Sequence, residues 1–310
     1  MKNIREKISK ELIEGELTPD EINIQLPGRF VRKISNFDGV TCWLNSLIQL
    51  LLNAFDHQSN GVSMESRLGK MLEKSQSESL IDPRPVKNLL QEELDMRAVR
   101  YQEILQDEQC AREALIILSE NKDSWKDLYK LLNHSVRQTS TCLSCNNQYS
   151  FDIEQLYSEV MCPENNVSLK NMLENTMNRE EVVEFRCEKC HISGGAKLNF
   201  NLITEESSEF LIIQVKRGIE NYTYSNNVKA TEDVNLLDSS GVQRTYTPIA
   251  IIHHRGGLGL SVRSSRHYMC DVRSQEDMKW YHTSDAATPI PLSVEKVSTK
   301  AFIVLYKRCV

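Results

Sequence analysis

Between Leu44 and Phe55 the apolar residues Leu44, Leu47, Ile48, Leu51, Leu52 and Phe55 recur at helical spacing. This predicts a buried helix whose entry turn holds Cys42. Further helical patterns run from Pro85 to Leu94, from Ala111 to Leu118 and from Trp125 to Leu132, with a polar segment over 56–84 ahead of them, so the first 135 residues read as mainly helical. After about residue 136 the period changes. Short β-branched or alternating runs at Ser150–Ile153, Glu181–Phe185 and Lys197–Ile203 predict strands. Continuous apolar runs at Phe210–Val215, Thr247–His253, Tyr268–Val272 and Ala301–Tyr306 suit the inside of a mixed sheet. The polar stretch 218–245 reads as a long surface loop. Residues Ile4–Leu17 read as a short acidic helix, and the extended stretch with Pro19 and Pro27 completes a leader.

Composition narrows the class without naming it. Hydrophobic residues make up 40% and charged residues 26%, and the net charge of -6 does not point to nucleic acid as the main partner. The longest apolar run, Leu47–Phe55, is interrupted by Gln49 and Asn53 and falls far short of the roughly 20 residues that span a bilayer. No membrane association is expected. The N-terminus has no apolar stretch with a small-residue cleavage site, so a cytoplasmic or nuclear location is the default expectation.

Nine cysteines are an odd number for a disulfide framework, and four of them form two pairs, Cys142-Leu-Ser-Cys145 and Cys187-Glu-Lys-Cys190. Together these offer the four soft ligands that tetrahedral Zn2+ favours, with no position left open for water, so a structural ion is expected. The separation of the pairs means the metal would clip two hairpins together. His191, beside Cys190, is a spare candidate ligand.

A thiol of pKa about 8.5 is only a few per cent ionised at pH 7, so a catalytic cysteine needs a helix N-terminus, an imidazolium neighbour or both. Cys42 meets the first condition. Taken alone, a cysteine ahead of an apolar helix reads as a core residue, but its context says more. The string Gly39-Val-Thr-Cys42-Trp-Leu-Asn45-Ser46-Leu-Ile-Gln49 resembles the cysteine box of the ubiquitin-specific proteases. The run Tyr246-Thr-Pro-Ile-Ala-Ile-Ile-His-His254-Arg-Gly256, followed by Arg266-His267-Tyr268, resembles their histidine box. Gln109-Cys-Ala-Arg-Glu113-Ala-Leu115 looks like the family's glutamine-containing helix motif, and the two CxxC pairs match its zinc ribbon. The resemblance covers about residues 30–308.

That resemblance implies an α+β, papain-like cysteine peptidase with a helical thumb (about 31–135), zinc-binding fingers (136–205) and a β-sheet palm (206–310), preceded by a leader (1–30). It implies that Cys42 attacks the bond after a ubiquitin C-terminal glycine, that His267 is its base, and that Gln109, Glu113, His254 and Tyr268 contact substrate. Three positions depart from the family pattern. Ser284 stands where the third triad member is expected and Asp285 follows it; on charge alone Asp285 is preferred, because a carboxylate stabilises an imidazolium and a hydroxyl does not. The oxyanion Asn is displaced: Phe37 holds its position and Asn36, one residue earlier, serves if the loop bulges. Cys110 replaces an Asp that meets the basic tail of ubiquitin, which leaves room for a ubiquitin-like modifier as substrate.

The glycine-rich basic loop Arg255–Arg266 lacks the strand-loop-helix context of a phosphate cradle and reads as an active-site flap. The expected partner is ubiquitin or a ubiquitin-like modifier with its conjugates, and the default oligomeric state is a monomer. A binding module that grips the modifier without chemistry is the competing class; the presence of both Cys42 and His267 argues against it.

Overall fold

In the computed structural model, residues 31–309 are described except 37, 40, 59–62, 64, 76–77, 96–110, 121–124, 163–165, 178–180, 205–207, 218–226, 256–266 and 298. The leader, Gln109 and most of the glycine-rich loop therefore lie outside the described residues.

Among the described residues the order opens with β1 (Lys33–Ile34) and α1 (Cys42–His57), then α2 (Arg67–Ser75), β2 (Leu80–Ile81), α3 (Arg84–Asp95), α4 (Ala111–Glu120) and α5 (Lys126–Leu132). Strands β3 (His134–Cys142), β4 (Gln148–Gln155), β5 (Ser158–Cys162) and β6 (Val167–Ser168) lead into α6 (Leu169–Met177). Then come β7 (Glu181–Arg186), β8 (Ser193–Ile203), β9 (Phe210–Arg217), β10 (Val228–Lys229), β11 (Val234–Leu237) and β12 (Gln243–Arg255). The chain closes through β13 (His267–Arg273), β14 (Trp280–Thr283), β15 (Ile290–Leu292) and β16 (Ala301–Arg308).

Two sheets organise the molecule. The larger runs β15-β14-β13-β12-β16-β9-β5, with β11 paired to β12; the smaller, antiparallel throughout, runs β4-β3-β8-β7. Side chains alternate across a strand, and the apolar runs of β9, β12 and β16 divide accordingly between two cores. Ile212, Ala250, Ile252, Ile303 and Leu305 face the helices α1 to α5. Leu211, Ile213, Ile251, Val304 and Tyr306 face α6 and β11. A strand buried on both faces reads as one unbroken apolar run, which is how these appear in the sequence.

Helix α1 packs against β12 and β13 and is buried along almost its whole circumference, polar residues included. Asn45, Gln49 and Asn53 form an amide stripe at four-residue spacing; the first two stitch the helix to the residues flanking β1 and the third to β12. Asn45 Nδ2 donates to Ser35 O (3.2 Å), Gln49 Oε1 accepts from Arg32 N (3.1 Å), and Asn53 Nδ2 donates to Ile249 O (2.7 Å). These bonds fix the rotation of α1 about its axis and so the direction in which Cys42 points. Asn53→Ala strips the donor from a buried carbonyl and should cost about 1–3 kcal/mol, read as a lower urea midpoint with unchanged slope. A loss under about 0.5 kcal/mol would mean that water replaces the amide.

Three expectations need correction. The polar segment 56–84 contains α2, whose Leu68, Leu72 and Ser75 are buried at helical spacing, and β2. The stretch 218–245 is not simply a surface loop: β10, β11 and the start of β12 lie in it, and Val228, Ala230, Val234 and Leu236 are buried. Their alternation is too short to stand out among polar neighbours. Finally, β5 falls within the span expected for the fingers yet pairs in parallel with β9 in the larger sheet.

Candidate active site and metal clip

The loop before α1 is shaped by polar bonds and one glycine. Gly39 takes φ +76°, a left-handed conformation that its missing Cβ permits, and lets the chain turn into the helix. Thr41, the N-cap, makes no capping bond with its own side chain; its N–H donates to Asn36 Oδ1 (3.2 Å), and its hydroxyl donates to Asp38. Lys87 holds the other Asp38 oxygen at 2.9 Å. Cys42 is thereby the first helical residue, buried, where the helix dipole favours negative charge on sulfur.

His267 opens β13, and its Nε2 lies 2.8 Å from the Ser284 hydroxyl. The nearest Asp285 oxygen is farther, 3.9 Å from the same nitrogen. The preference for Asp285 as the direct partner of the imidazole thus does not match the geometry, and the reason is local. Asp285 sits at φ +47° in the turn after β14, which aims its carboxylate at the start of α1. There Oδ1 accepts from Asn45 Nδ2 (2.7 Å) and Oδ2 from Asn36 Nδ2 (2.8 Å). Its backbone carbonyl accepts from Ile34 N at 3.0 Å. One carboxylate so joins the loop before Cys42, the first turn of α1 and the imidazole of β13.

Asn36, one residue out of the expected place, joins this cluster through its bonds to Asp285 and to the Thr41 amide. Asn45 enters it as well; the sequence displayed Asn45 within the cysteine box but gave it no task. Of the residues expected to touch substrate, Tyr268 is buried, its ring 5.9 Å from that of Phe302, on the face toward α1. His254 lies opposite Tyr268 in the β12–β13 ladder, and Glu113 lies in α4. Gln109 lies outside the described residues.

At the tip of the smaller sheet the four cysteines converge. Cys142 Sγ lies 3.9 Å from Cys190 Sγ and Cys145 Sγ 3.6 Å from Cys187 Sγ, with all four sulfurs within 4.8 Å of one another. Four thiolates set tetrahedrally at about 2.3 Å around an ion stand about 3.8 Å apart, so the cluster has the dimensions of a filled site. The two CxxC turns share one geometry. Asn146 N donates to Cys142 O (2.9 Å), His191 N donates to Cys187 O (2.8 Å), and both residues take a left-handed φ, 56° and 59°. His191 is thus the turn residue of its knuckle, not a spare ligand. The Tyr149 hydroxyl, 3.5 Å from Cys187 Sγ, and the Cys190 backbone amide hold the Cys187 thiol down at about 6.

A thiol leading a buried helix, an imidazole tied through Ser284 and Asp285 to the loop before that helix, and a four-cysteine clip in an α+β fold are the parts of a cysteine hydrolase. A sequence profile of the ubiquitin carboxyl-terminal hydrolases matches residues 33–306. The chain belongs to this family, and it is a cysteine-type deubiquitinating enzyme. A search of curated protein sequences returns no match. Among solved structures the fold is similar to the SAGA DUB module Ubp8/Sgf11/Sus1/Sgf73 bound to monoubiquitin, with TM-score 0.68 and 16% identity over 99% of this chain and 74% of that one. It is equally similar to the same module bound to ubiquitin aldehyde, with TM-score 0.66 and 15% identity over 99% and 75% of the two chains.

Proposed function

We propose that this deubiquitinase cleaves the isopeptide or peptide bond after the C-terminal glycine of ubiquitin, with Cys42 as nucleophile and His267 as general acid and base. Ubiquitin is the substrate of choice because the two similar structures are recorded with monoubiquitin and with ubiquitin aldehyde. The observation that carries the reading is the carboxylate of Asp285, bonded at once to Asn36 and Asn45 beside Cys42 and 3.9 Å from His267.

In the proposed cycle the Cys42 thiolate attacks the glycine carbonyl carbon. The C–N bond breaks and the amine departs with a proton from His267, leaving a thioester. Water, deprotonated by His267, then attacks that thioester, and the carboxylate product leaves as the Cys42 sulfur is released. We assign the oxyanion to the Cys42 backbone N–H and to the amide hydrogen of Asn36 that does not go to Asp285.

The third role is divided between two residues. Ser284 orients the ring through its hydroxyl, and Asp285 supplies the charge from one step away. A neutral hydrogen bond is worth about 0.5–1.5 kcal/mol, so Ser284→Ala should lower kcat roughly 2- to 13-fold. An ion pair at 3.9 Å lies on the order of 1–4 kcal/mol between bulk water and a protein surface, so Asp285→Asn should cost roughly 5- to 1000-fold. Steady-state kinetics on a fluorogenic ubiquitin amide checks the order; a larger loss in Ser284→Ala would make the hydroxyl the principal third member.

The four-cysteine clip fits Zn2+, held by Cys142, Cys145, Cys187 and Cys190 in a structural role that keeps the two hairpins of the smaller sheet together. Turnover of fluorogenic amides of ubiquitin and of ubiquitin-like modifiers, run side by side, tests the substrate. Ubiquitin should be turned over; a folded, zinc-loaded protein that cleaves only another modifier would transfer the assignment to that modifier, and one that cleaves none would sink the catalytic reading.

A further inference from the structure

Outside the thiol site, three ligand-type side chains meet on one face of the larger sheet. Asp271 stands directly opposite His282 in the β13–β14 ladder. His253 is on the adjacent strand β12, opposite Met269 and therefore diagonal to Asp271. The face is fixed by alternation: Ile251 and Trp280, two residues from His253 and His282, belong to the core on the α6 side, whereas Cys270 and Val272, flanking Asp271, belong to the core on the α1 side. The cluster lies across the sheet from α1, and His282 is two residues before Ser284.

Its atoms converge on one point. His253 Nε2 is 3.2 Å and His282 Nδ1 2.7 Å from the same oxygen, Asp271 Oδ1, and the three ligand atoms lie within 4.8 Å of one another. Around a tetrahedral ion with bonds of about 2.0–2.1 Å, such donors stand about 3.3–3.4 Å apart, so the His253–Asp271 separation of 3.2 Å already fits and the His282–Asp271 separation of 2.7 Å must open by about 0.6 Å. His253 and Asp271 are buried, while the His282 side chain is 24% exposed, which leaves a path for an ion and water from that side. Burial alone would raise the Asp271 carboxyl, but the hydrogen bonds from His253 and His282 hold it well below the usual carboxylate range. It is an anion at neutral pH, in a place where an uncompensated charge is costly.

We propose that His253 Nε2, Asp271 Oδ1 and His282 Nδ1 form a second metal site for a divalent transition ion, open to water on the His282 side. Two imidazoles and one carboxylate, with coordination positions to spare, suit Zn2+, Fe2+ and their neighbours and do not suit Ca2+ or Mg2+. An ion bound there would take the place of the hydrogen bonds that the two imidazoles now share with Asp271. The donor set differs from the four-thiolate clip, so the two sites should differ in affinity and in spectrum.

The test is equilibrium dialysis of the full chain against micromolar Zn2+ with elemental analysis, comparing wild type with His282→Ala and His253→Gln. The wild type should hold one ion more per chain than either variant. Equal stoichiometry in all three overturns the site and leaves the cluster as a buried carboxylate neutralised by two imidazoles. Should either variant fail to fold, Co2+ titration of the wild type gives the same answer. A second equivalent should add ligand-field absorption without further thiolate-to-cobalt charge transfer, and saturation at the thiolate-bound equivalent overturns the proposal.

Discussion

Cys42→Ala should abolish covalent capture of ubiquitin bearing a C-terminal electrophile, while wild type at equal concentration forms a one-to-one adduct visible as a mass shift. The expected loss is complete because no other described thiol combines a helix start with the His267 cluster. Cys270 is wholly buried, which pushes its thiol well above the usual range, and Cys162 is buried in the core facing α6. Exposed Cys309 lies just past Lys307, which reaches His57 at the opposite end of α1 from Cys42, and meets Thr245 and Thr247. The substitution removes one buried sulfur and creates little cavity, so the melting temperature should hold within a few degrees and separate lost chemistry from lost fold. An adduct that persists in Cys42→Ala would move the nucleophile elsewhere.

Breaking the four-cysteine clip should have the second largest effect. Apparent binding energies for structural Zn2+ are about 10–16 kcal/mol, comparable with the whole stability of a domain at about 5–15 kcal/mol. The tip of the smaller sheet has little else to hold it, since Leu143, Phe151, Val182 and Ile192 are exposed there. Cys187→Ser, or a chelator on wild type, should therefore release the β3–β4 and β7–β8 ends to limited proteolysis. The palm core around β9, β12 and β16 should stay protected, and ubiquitin turnover should fall mainly through KM. Protection of residues 142–192 at wild-type level in a metal-free variant would show that the ion is dispensable.

Much of this architecture was legible in the sequence, for physical reasons that differ between elements. Helix α1 declared itself because a helix buried all round must be apolar at nearly every core-facing turn. The cysteine pairs are legible because a knuckle needs its two ligands three residues apart. Ser284 and Asp285 show where such reading stops. Charge favoured Asp285 as the imidazole's partner, but the left-handed turn at that residue sends the carboxylate to Asn36 and Asn45 and leaves the hydroxyl beside the ring. That outcome depends on a backbone angle, which no residue type encodes alone. His253, Asp271 and His282 were illegible for a related reason: only cross-strand register brings them together, and no fixed spacing along the chain announces it.

The bond between Asn45 and Asp285 spans 240 residues of chain. During synthesis the helix bearing the nucleophile emerges well before the strand with His267 and the turn with Asp285. A nascent or truncated polypeptide that stops before His267 has the thiol without its base or its anchor, and so should be inert. The competence of this enzyme therefore reports that its translation has passed Asp285.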